Sequence, residues 1–401
     1  MKYAFLTSLI PKQLENEVIS CSKHNMQAAA NALQWHIYDG LCANLNEKVN
    51  IINILPIGSF PQYYTKPFIK ENYFATDKTS KHINIGFCNV KFIRRYHQSK
   101  KVFKRLKHWC AENNEPKTIF VYTLSAHFTN ALKKIKKLYP TVKICAIVAD
   151  LPDMISLSSK KSLLEKLADK NLATRSYSAI YCIDAFVLLT KQMADYMAIK
   201  KPYVVMEGIA TIHNDAPQKN TGNLKNILYT GTLHRKFGVL NLVEAFMKID
   251  APDYRLILCG VGDSETEIKE KACEDDRIIY KGQLKRDEIL ELQRNATILV
   301  NPRQNNEEFT KYSFPSKNLE YLSSGTPLVA YKLDGIPEEY SNYINYVEDD
   351  SIESLKRKLM EVCEDVNGVA HERALSAFEF VKNEKNAQKQ TEKIKKMLDA
   401  L

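Results

Sequence analysis

The chain has 401 residues, of which 45% are hydrophobic and 26% are charged, a composition typical of a folded globular protein with two or three domains. No apolar run approaches the ~20 residues needed to cross a bilayer, and the N-terminal apolar stretch is too short for a signal peptide. The nine cysteines are scattered and never form C-x-x-C, which argues against a zinc site or a disulfide framework and favours a reducing compartment such as the cytoplasm.

Positive charge is concentrated in the first half of the chain, although the whole chain carries a net charge of only +10. Residues 1–200 contain 29 Lys and Arg against 14 Asp and Glu, a net charge of +15. Residues 201–401 contain 28 against 33, a net charge of −5. The two halves are therefore expected to meet different partners. A basic surface attracts nucleic acid, anionic lipid or phosphorylated substrates, and charge alone does not choose among them.

Short apolar runs alternate with longer helical patterns, as in parallel sheets covered by helices. The N-terminal stretch is predicted to form the first strand. Further strands of the first half are predicted at 49–57, 82–87, 118–124, 142–150, 181–190 and 202–206. Strands of the second half are predicted at 226–231, 254–260, 277–282, 296–302 and 327–331. The runs are apolar throughout, which is typical of strands buried on both faces.

These patterns predict an α/β protein with two facing Rossmann-like domains and a cleft between them. Residues 1–213 are predicted to form the first domain, and the polar segment 214–225 the linker. Residues 226–383 are predicted to form the second domain. A C-terminal helix at 384–401 is expected to pack back on the first domain.

The segment 91–110 contains eight Lys and Arg with aromatic residues between them. Five apolar residues recur at helical spacing: Val102, Phe103, Leu106, Trp109 and Cys110. This spacing predicts a helix with one apolar face and one strongly basic face. Such a helix can lie on an anionic membrane surface. Alternatively, its apolar face can pack in the protein core while its basic face is exposed to solvent.

Polar residues follow two predicted strands of the first half. His127 comes after the strand at 118–124, and Asp150 and Asp153 come at and after the end of the strand at 142–150. Ligands of open α/β sheets bind beyond the carboxyl ends of the strands, so these side chains are candidates for substrate contacts. The alternatives are a structural loop histidine and turn-forming aspartates next to proline.

The segment YTGTLHRKFG, residues 229–238, runs from a strand through a glycine turn toward a helix. Gly231 ends the strand, where the missing side chain lets a ligand approach the backbone. Arg235 and Lys236 occupy the loop before the helix, and two cations at one place suit an anionic ligand. The alternative is a pair of solvated surface charges.

A second strand-to-helix transition predicts a phosphate-binding turn. Pro315 suits the first helical position, so the amides of Ser316 and Lys317 would point outward at the positive end of the helix dipole, next to the Lys317 ammonium. Glu320 lies four residues after Ser316 on the same helical face, at the distance of a ribose bound beside the phosphates. The alternative is a capped helix with an exposed lysine and glutamate.

Together these segments resemble the retaining GT-B glycosyltransferases of family GT4, and especially the bacterial capsular and exopolysaccharide type. The resemblance covers residues 224–365 well and the first half only in outline. It rests on G-T-L-x4-G from Gly231, followed by LILCGVGD, YKG, ATILVNP and SFPSKNLEYLSSGTPLVA.

This resemblance implies a hexosyltransferase whose second domain binds a UDP- or GDP-sugar without a metal and whose first domain binds the acceptor. The sugar would pass, with retention of anomeric configuration, to a hydroxyl of a lipid-linked glycan during surface polysaccharide synthesis. No cofactor is implied. The expected location is the cytoplasm, with peripheral contact at the inner face of the membrane through residues 91–110.

Individual roles follow from the resembled motifs. Arg235 and Lys236 would neutralise the diphosphate, and Glu320, the second glutamate of the E-x7-E motif, would bind ribose. Five residues complete the predicted nucleotide-sugar site: Gly231, Thr232, Phe314, Ser316 and Lys317. His127 would contact the donor sugar. Asp150 and Asp153 are assigned to the acceptor.

The sequence departs from the family pattern at two places. Tyr312, eight residues before Glu320, replaces the first glutamate of E-x7-E, so Glu307 and Glu308 become candidates to reach the sugar, and Glu308 joins the predicted catalytic set of Arg235, Lys236 and His127. The basic pair is displaced as well: Thr232 stands where arginine is usual, and Phe237 where lysine is usual.

Two other functions fit the same sequence. A nucleotide-sugar 2-epimerase shares the two-domain layout and would isomerise the sugar nucleotide instead of releasing UDP. A non-enzymatic protein that binds polyanions or membrane surfaces would show no nucleotide preference. Nucleic acid is not an expected partner, because no recognisable binding motif is present.

Overall fold

The computed structural model describes residues 1–23, 28–77, 80–154, 163–211 and 222–401, without the side chains of 163–169. The chain forms two units, one made of residues 1–209 and 387–401 and the other of residues 210–386. Of the predicted linker, residues 214–221 lie outside the described residues, and strand structure resumes at Lys225.

The first unit is built on ten strands: β1 (Lys2–Thr7), β2 (Val49–Asn53), β3 (Phe68–Ile69), β4 (Asn72–Phe74), β5 (His82–Asn84), β6 (Phe87–Cys88), β7 (Lys117–Tyr122), β8 (Lys143–Val148), β9 (Ala185–Leu188) and β10 (Tyr203–Val205). Eight of them form a sheet in the order β10-β9-β8-β7-β1-β2-β5-β4. All neighbours in this sheet are parallel except β4 and β5. Strands β3 and β6 form a separate antiparallel pair.

Helices of this unit follow the strands: α1 (Glu15–Cys21), α2 (Ala28–Asn44), α3 (Arg94–Ala111), α4 (Ala126–Leu138), α5 (Leu163–Tyr177) and α6 (Lys191–Tyr196). The central strands β1, β7 and β8 are buried along nearly their whole length, as expected for parallel strands covered by helices. Within the predicted strand 181–190, only Ala185–Leu188 is extended, because Ile180–Cys182 forms a 3-10 turn.

The predicted basic helix exists as α3, and its apolar face belongs to the core. Val102, Leu106, Trp109 and Cys110 are all buried. The interpretation in which this face lies on a membrane is therefore wrong, because protein already covers it. The exposed apolar residues lie instead at the start of the segment, where Phe92 is 89% exposed. Among the described residues, no helix is long and apolar enough to span a bilayer.

The second unit contains six strands, β11 (Lys225–Thr230), β12 (Tyr254–Cys259), β13 (Ile278–Gly282), β14 (Ile298–Asn301), β15 (Leu328–Ala330) and β16 (Asn345–Tyr346). They are all parallel and lie in the order β13-β12-β11-β14-β15-β16. This is the doubly wound order of dinucleotide-binding folds. Its direction reverses between β11 and β14, so a ligand crevice is expected beyond the carboxyl ends of these two strands.

Helices α7 (Val239–Met247), α8 (Glu265–Glu274), α9 (Arg286–Asn295), α10 (Ser316–Leu322), α11 (Ile352–Glu364) and α12 (Val369–Glu384) complete the second unit. The next helix, α13 (Ala387–Asp399), returns to the first unit and packs on α2, as predicted. The Asn44 amide of α2 donates to the Gln388 carbonyl and to the Thr391 hydroxyl, both at 2.8 Å. Ile394 of α13 is fully buried in this contact region.

The close approach of α2 and α13 depends on Gly40, because a Cβ there would clash with the Ala387 carbonyl oxygen and the Thr391 hydroxyl. We expect Gly40→Val to destabilise the protein by about 1–3 kcal/mol, as overpacking does. Ala43→Val is the matched control at an exposed position of the same helix. Thermal unfolding and limited proteolysis near residue 387 measure the effect. Equal melting temperatures for the two variants would contradict this account of the α2–α13 contact.

Candidate functional site

The ends of β11 and β12 lie so close that glycine is required. The Gly231 amide donates to the Cys259 carbonyl at 2.9 Å, and a Cβ at Gly260 would clash with the Gly231 carbonyl oxygen. Gly231 has a φ of +153° and Gly260 a φ of +136°, values that favour glycine. The end of β11 thus presents bare backbone beside the point where the sheet order reverses.

A buried hydrogen-bond network joins the end of β11 to helices α9 and α10. The Tyr321 hydroxyl accepts from the Thr230 amide at 2.9 Å and donates to its carbonyl at 3.0 Å. The Gln293 amide donates to the Thr230 hydroxyl at 2.9 Å and to Glu320 Oε1 at 2.7 Å. This network fixes the position of Glu320 relative to the strand end.

Glu320 pairs with Lys317, whose Nζ lies 2.8 Å from Oε1. Burial raises the pKa of the Glu320 carboxyl, but the charge and hydrogen bond of Lys317 and the hydrogen bond of Gln293 outweigh burial, so the pKa lies below its ordinary value. Both contacts use Oε1, and none of the described residues donates to Oε2. Glu320 is therefore ionised at neutral pH with one oxygen available to hydroxyl donors.

Helix α10 begins one residue later than predicted. Pro315 is extended and precedes the helix, and its carbonyl accepts the Asn318 amide at 2.8 Å. Among the described residues, no acceptor faces the amides of Ser316 and Lys317, which is the usual state of the first helical turn. Phe314 is buried, with its ring 5.1 Å from that of Tyr340, so it supports this turn from the core.

The loop that carries the predicted basic pair is held by the GVGD turn. Asp263 Oδ1 accepts the Arg235 amide at 2.8 Å, and its Oδ2 lies 3.2 Å from His234 Nδ1. The Arg235 guanidinium itself forms an ion pair with Glu267 of α8. A Cβ at Gly262 would clash with the Leu233 carbonyl oxygen. The GVGD segment is thus a strand-to-helix turn that supports the loop.

Lys236 and an arginine that the sequence analysis missed share aromatic neighbours. Arg303 lies 4.3 Å from the Phe309 ring centre and 5.6 Å from that of Phe237. It also donates to the Ser313 hydroxyl at 2.8 Å. Lys236 Nζ lies 5.6 Å from the Phe309 ring centre. The two cations thus lie near the same two phenylalanine rings, those of Phe237 and Phe309.

Arg303 stands two residues after the end of β14, at the reversal of the strand order. Burial lowers its pKa to about 10, so it remains charged at neutral pH. The positive charge of Arg303 acts on the Tyr229 hydroxyl and opposes the rise in its pKa that burial causes. That hydroxyl lies close to Gly231, where an added Cβ would be 3.3 Å from it. The signal for Arg303 was available in the sequence, because it follows the predicted strand 296–302 immediately.

The structure leaves two of the predicted site residues apart from the Glu320 network. Thr232 is exposed, and its carbonyl accepts from the Tyr229 hydroxyl at 2.8 Å. Glu308 is exposed at the start of a 3-10 turn that ends at Tyr312. No hydrogen bond or ion pair links Glu308 to Lys317 or Glu320 among the described residues.

In the first unit, His127 lines a cavity of about 340 Å³ at the start of α4. Burial, followed by the charges of Arg94 and Arg95, lowers the pKa of His127 to about 3, so the ring is neutral at physiological pH. Its Nε2 atom is buried and has no hydrogen-bond partner among the described residues.

The two aspartates assigned to the acceptor differ in their surroundings. Asp153 accepts hydrogen bonds from the hydroxyls of Tyr177 and Tyr196, which gives it a structural task. Asp150 keeps an exposed edge, although desolvation by the surrounding protein raises its pKa. Asp150 is therefore the more available of the two for a ligand.

His127 should stay neutral throughout the pH range in which the protein is folded. Because the unfolded chain binds this proton more tightly than the folded chain, stability is lost as pH falls below about 6.5. Ring signals in NMR spectra, assigned by comparison with His127→Gln, measure the titration. A midpoint near 6.5 would show that the ring is solvated and contradict its burial beside two arginines.

Residues 212–376 match the sequence profile of the family described as Glycosyl transferases group 1. Among curated proteins, nothing matches the chain significantly. The matched range falls wholly within the second unit, which is therefore similar to the group 1 glycosyltransferases.

Several solved structures resemble the whole chain. Sucrose-phosphate synthase (tll1590) from Thermosynechococcus elongatus is 15% identical, with 100% of both chains covered and a TM-score of 0.64. The alpha,alpha-trehalose 6-phosphate synthase from Burkholderia multivorans is 11% identical, with 100% of this chain and 99% of that chain covered and a TM-score of 0.66. Anabaena Alr3699/HepE, solved in complex with UDP, is 14% identical, with 100% of both chains covered and a TM-score of 0.62. Identities this low show the fold alone, and the predicted GT-B fold is confirmed.

Proposed function

We propose that this chain transfers a hexose from a nucleotide sugar to a hydroxyl of a glycan acceptor with retention of anomeric configuration, as the match of its second unit to the group 1 glycosyltransferase profile supports. One observation carries the proposal. A charged carboxylate, Glu320, is fixed at the end of β11 with a free oxygen, one helical turn from the unpaired amides of Ser316 and Lys317. This combination suits a ribose hydroxyl and a diphosphate bound side by side.

The diphosphate leaving group is proposed to be neutralised by protein cations. Lys317, Arg235 and Lys236 were expected there, and the buried Arg303 adds a fixed charge at the end of β14. Stabilising the charge that develops on a leaving group is the largest contribution in many enzymes, and fixed cations provide it without reorganisation. Turnover is therefore proposed to need no metal ion.

In this proposal the donor is a UDP-sugar rather than a GDP-sugar. A protein of the same fold, Anabaena Alr3699/HepE, was solved in complex with UDP, which supports this choice. His127, neutral and therefore able to donate or accept a hydrogen bond, is proposed to contact the donor sugar. Glu308 is proposed to reach the sugar from its exposed turn, in the role of the missing first glutamate.

The acceptor is proposed to bind to the first unit, with Asp150 as a hydroxyl partner. A lipid-linked glycan of the capsular or exopolysaccharide kind fits the basic character of this unit. Membrane contact is proposed to use the start of the segment 91–110, where Phe92, Ile93 and Tyr96 are 89%, 53% and 70% exposed. Basic residues flank these side chains, as at an anionic cytoplasmic membrane surface.

Two alternative functions can be distinguished from the transferase by their products. A nucleotide-sugar 2-epimerase would give an isomerised sugar nucleotide without any glycosidic bond. A non-enzymatic polyanion-binding protein would bind without nucleotide preference and in a strongly salt-dependent way. The ionised carboxylate of Glu320 favours the transferase over the polyanion binder, because a negative charge in the binding site would repel a polyanion.

UDP should stabilise the wild-type protein in the absence of metal, and Glu320→Ala should lose most of that effect. A ligand at about 100 times its Kd stabilises by about 2.7 kcal/mol, a rise of a few degrees in melting temperature. Glu338→Ala removes an exposed glutamate of the same unit and is the control. If UDP, GDP, ADP and CMP all fail to stabilise the wild type, or if the two variants respond equally, the proposed donor site is wrong.

Lys236→Gln should lower kcat/KM for UDP release roughly ten- to a hundredfold, the size expected for one charge-assisted hydrogen bond. The assay contains EDTA, because protein cations are proposed to do the work of a metal. Lys248→Gln, an exposed lysine of the same unit, should change nothing. Complete loss of wild-type activity in EDTA, restored by Mg²⁺, would overturn the metal-independent mechanism.

A further inference from the structure

We propose that the cavity of the first unit binds a phosphate group carried by the acceptor. This inference rests on the proposed function, which assigns the acceptor to the first unit. The cavity of about 340 Å³ lies among the start of α3, the start of α4 and the last turns of α5. It is many times larger than the ~30 Å³ share of one water molecule in the liquid, so it has room for a phosphate and part of the group attached to it.

The charge of the lining is positive and uncompensated. Arg94 and Arg95 both line the cavity, and no carboxylate is among its described lining residues. No described acidic side chain forms an ion pair with either arginine. Arg94 is fixed by a hydrogen bond from its guanidinium to the Ile57 carbonyl, and its Nε is buried without a partner among the described residues. Arg94 is half-buried and Arg95 is exposed. A half-buried cation without a counter-charge is costly, and an anionic ligand offsets that cost.

Three further lining residues have polar atoms that are buried and lack a partner among the described residues. These atoms are Gln98 Nε2, Ser125 Oγ and His127 Nε2. The amide and the hydroxyl are donors to a phosphate, whereas His127 keeps its proposed role toward the donor sugar. Together with Arg94 Nε, four unsatisfied polar groups therefore belong to the lining of one cavity.

Donors on several sides favour phosphate over a carboxylate. Arg94, Arg95 and Gln98 come from α3, whereas Ser125 directly precedes α4. A carboxylate offers two oxygens in one plane, whereas a tetrahedral phosphate directs oxygens toward donors on different sides. Arginine is also the residue that most often recognises phosphate through paired hydrogen bonds.

The phosphate can belong to a soluble sugar phosphate or to a lipid-linked acceptor, and the chemistry recognised is the same. Phe92, Ile93 and Tyr96 are exposed next to Arg94 and Arg95 in the sequence. These side chains give a lipid-borne phosphate an apolar surface near the cavity residues. The experiment therefore includes one arm for each source.

Calorimetric titration of the full chain with inorganic phosphate, at constant ionic strength, tests the proposal. Wild type should bind saturably, and Arg95→Gln should weaken binding roughly tenfold or more, the effect expected for one charge-assisted hydrogen bond. Ser125→Ala should weaken it as well, without changing the charge. Lys100→Gln removes an exposed lysine from the same helix and does not line the cavity, so it should bind phosphate as wild type does.

The second arm measures sedimentation with phosphatidylcholine vesicles, with and without phosphatidic acid. A defect of Arg95→Gln that depends on phosphatidic acid and exceeds that of Lys100→Gln supports a lipid-borne phosphate. A defect confined to inorganic phosphate supports a soluble phosphorylated acceptor. Absence of saturable phosphate binding, or equal effects of Arg95→Gln and Lys100→Gln, would overturn the proposal. UDP titrations of the same variants separate this result from the donor site, since intact UDP binding leaves the proposed transferase function standing.

Discussion

The proposed donor site depends on how one threonine is held. Thr230 ends the first strand of the second sheet, and its backbone and hydroxyl are all engaged by Tyr321 and Gln293. These bonds are buried, where a lost partner leaves a polar group without water and costs more than the bond itself contributes. The same Gln293 amide reaches Glu320, so strand, helix and carboxylate move as one piece. Everything proposed for nucleotide binding presupposes this rigidity.

The fold was largely predictable because parallel strands buried on both faces read as uninterrupted apolar runs. Strand β11 occupies 225–230 where 226–231 was predicted, and α13 packs on α2 as expected. The failures have local causes. Strand β16 has only two residues and leaves no periodic signal. The apolar spacing of α3 has the same pattern in a helix that packs on protein and in one that lies on lipid, because both surroundings exclude water from the apolar face.

The relative positions of site residues were predictable where they follow from spacing along one helix. They were less predictable where they depend on contacts with residues distant in the sequence. Ser316, Lys317 and Glu320 stand around one helical turn as their spacing indicates. Arg235 was chosen for its charge, yet Glu267, distant in sequence, pairs with it. Arg303 was overlooked because one arginine after a strand looks like solvated surface until its aromatic neighbours are known. A local sequence pattern does not indicate which residues from distant segments will contact a side chain.

The return of α13 to the first unit has a consequence for biosynthesis. The last helix of that unit is translated only after residues 210–386 have been synthesised, a delay of roughly 10 to 35 s at ordinary elongation rates. During this interval the α2 surface around Gly40 has no covering helix, and the sequence of the second unit is complete before α13 is made. The N-terminal unit is thus begun first and finished last. A nascent chain stalled before residue 387 would expose the same apolar face to chaperones that recognise unburied side chains.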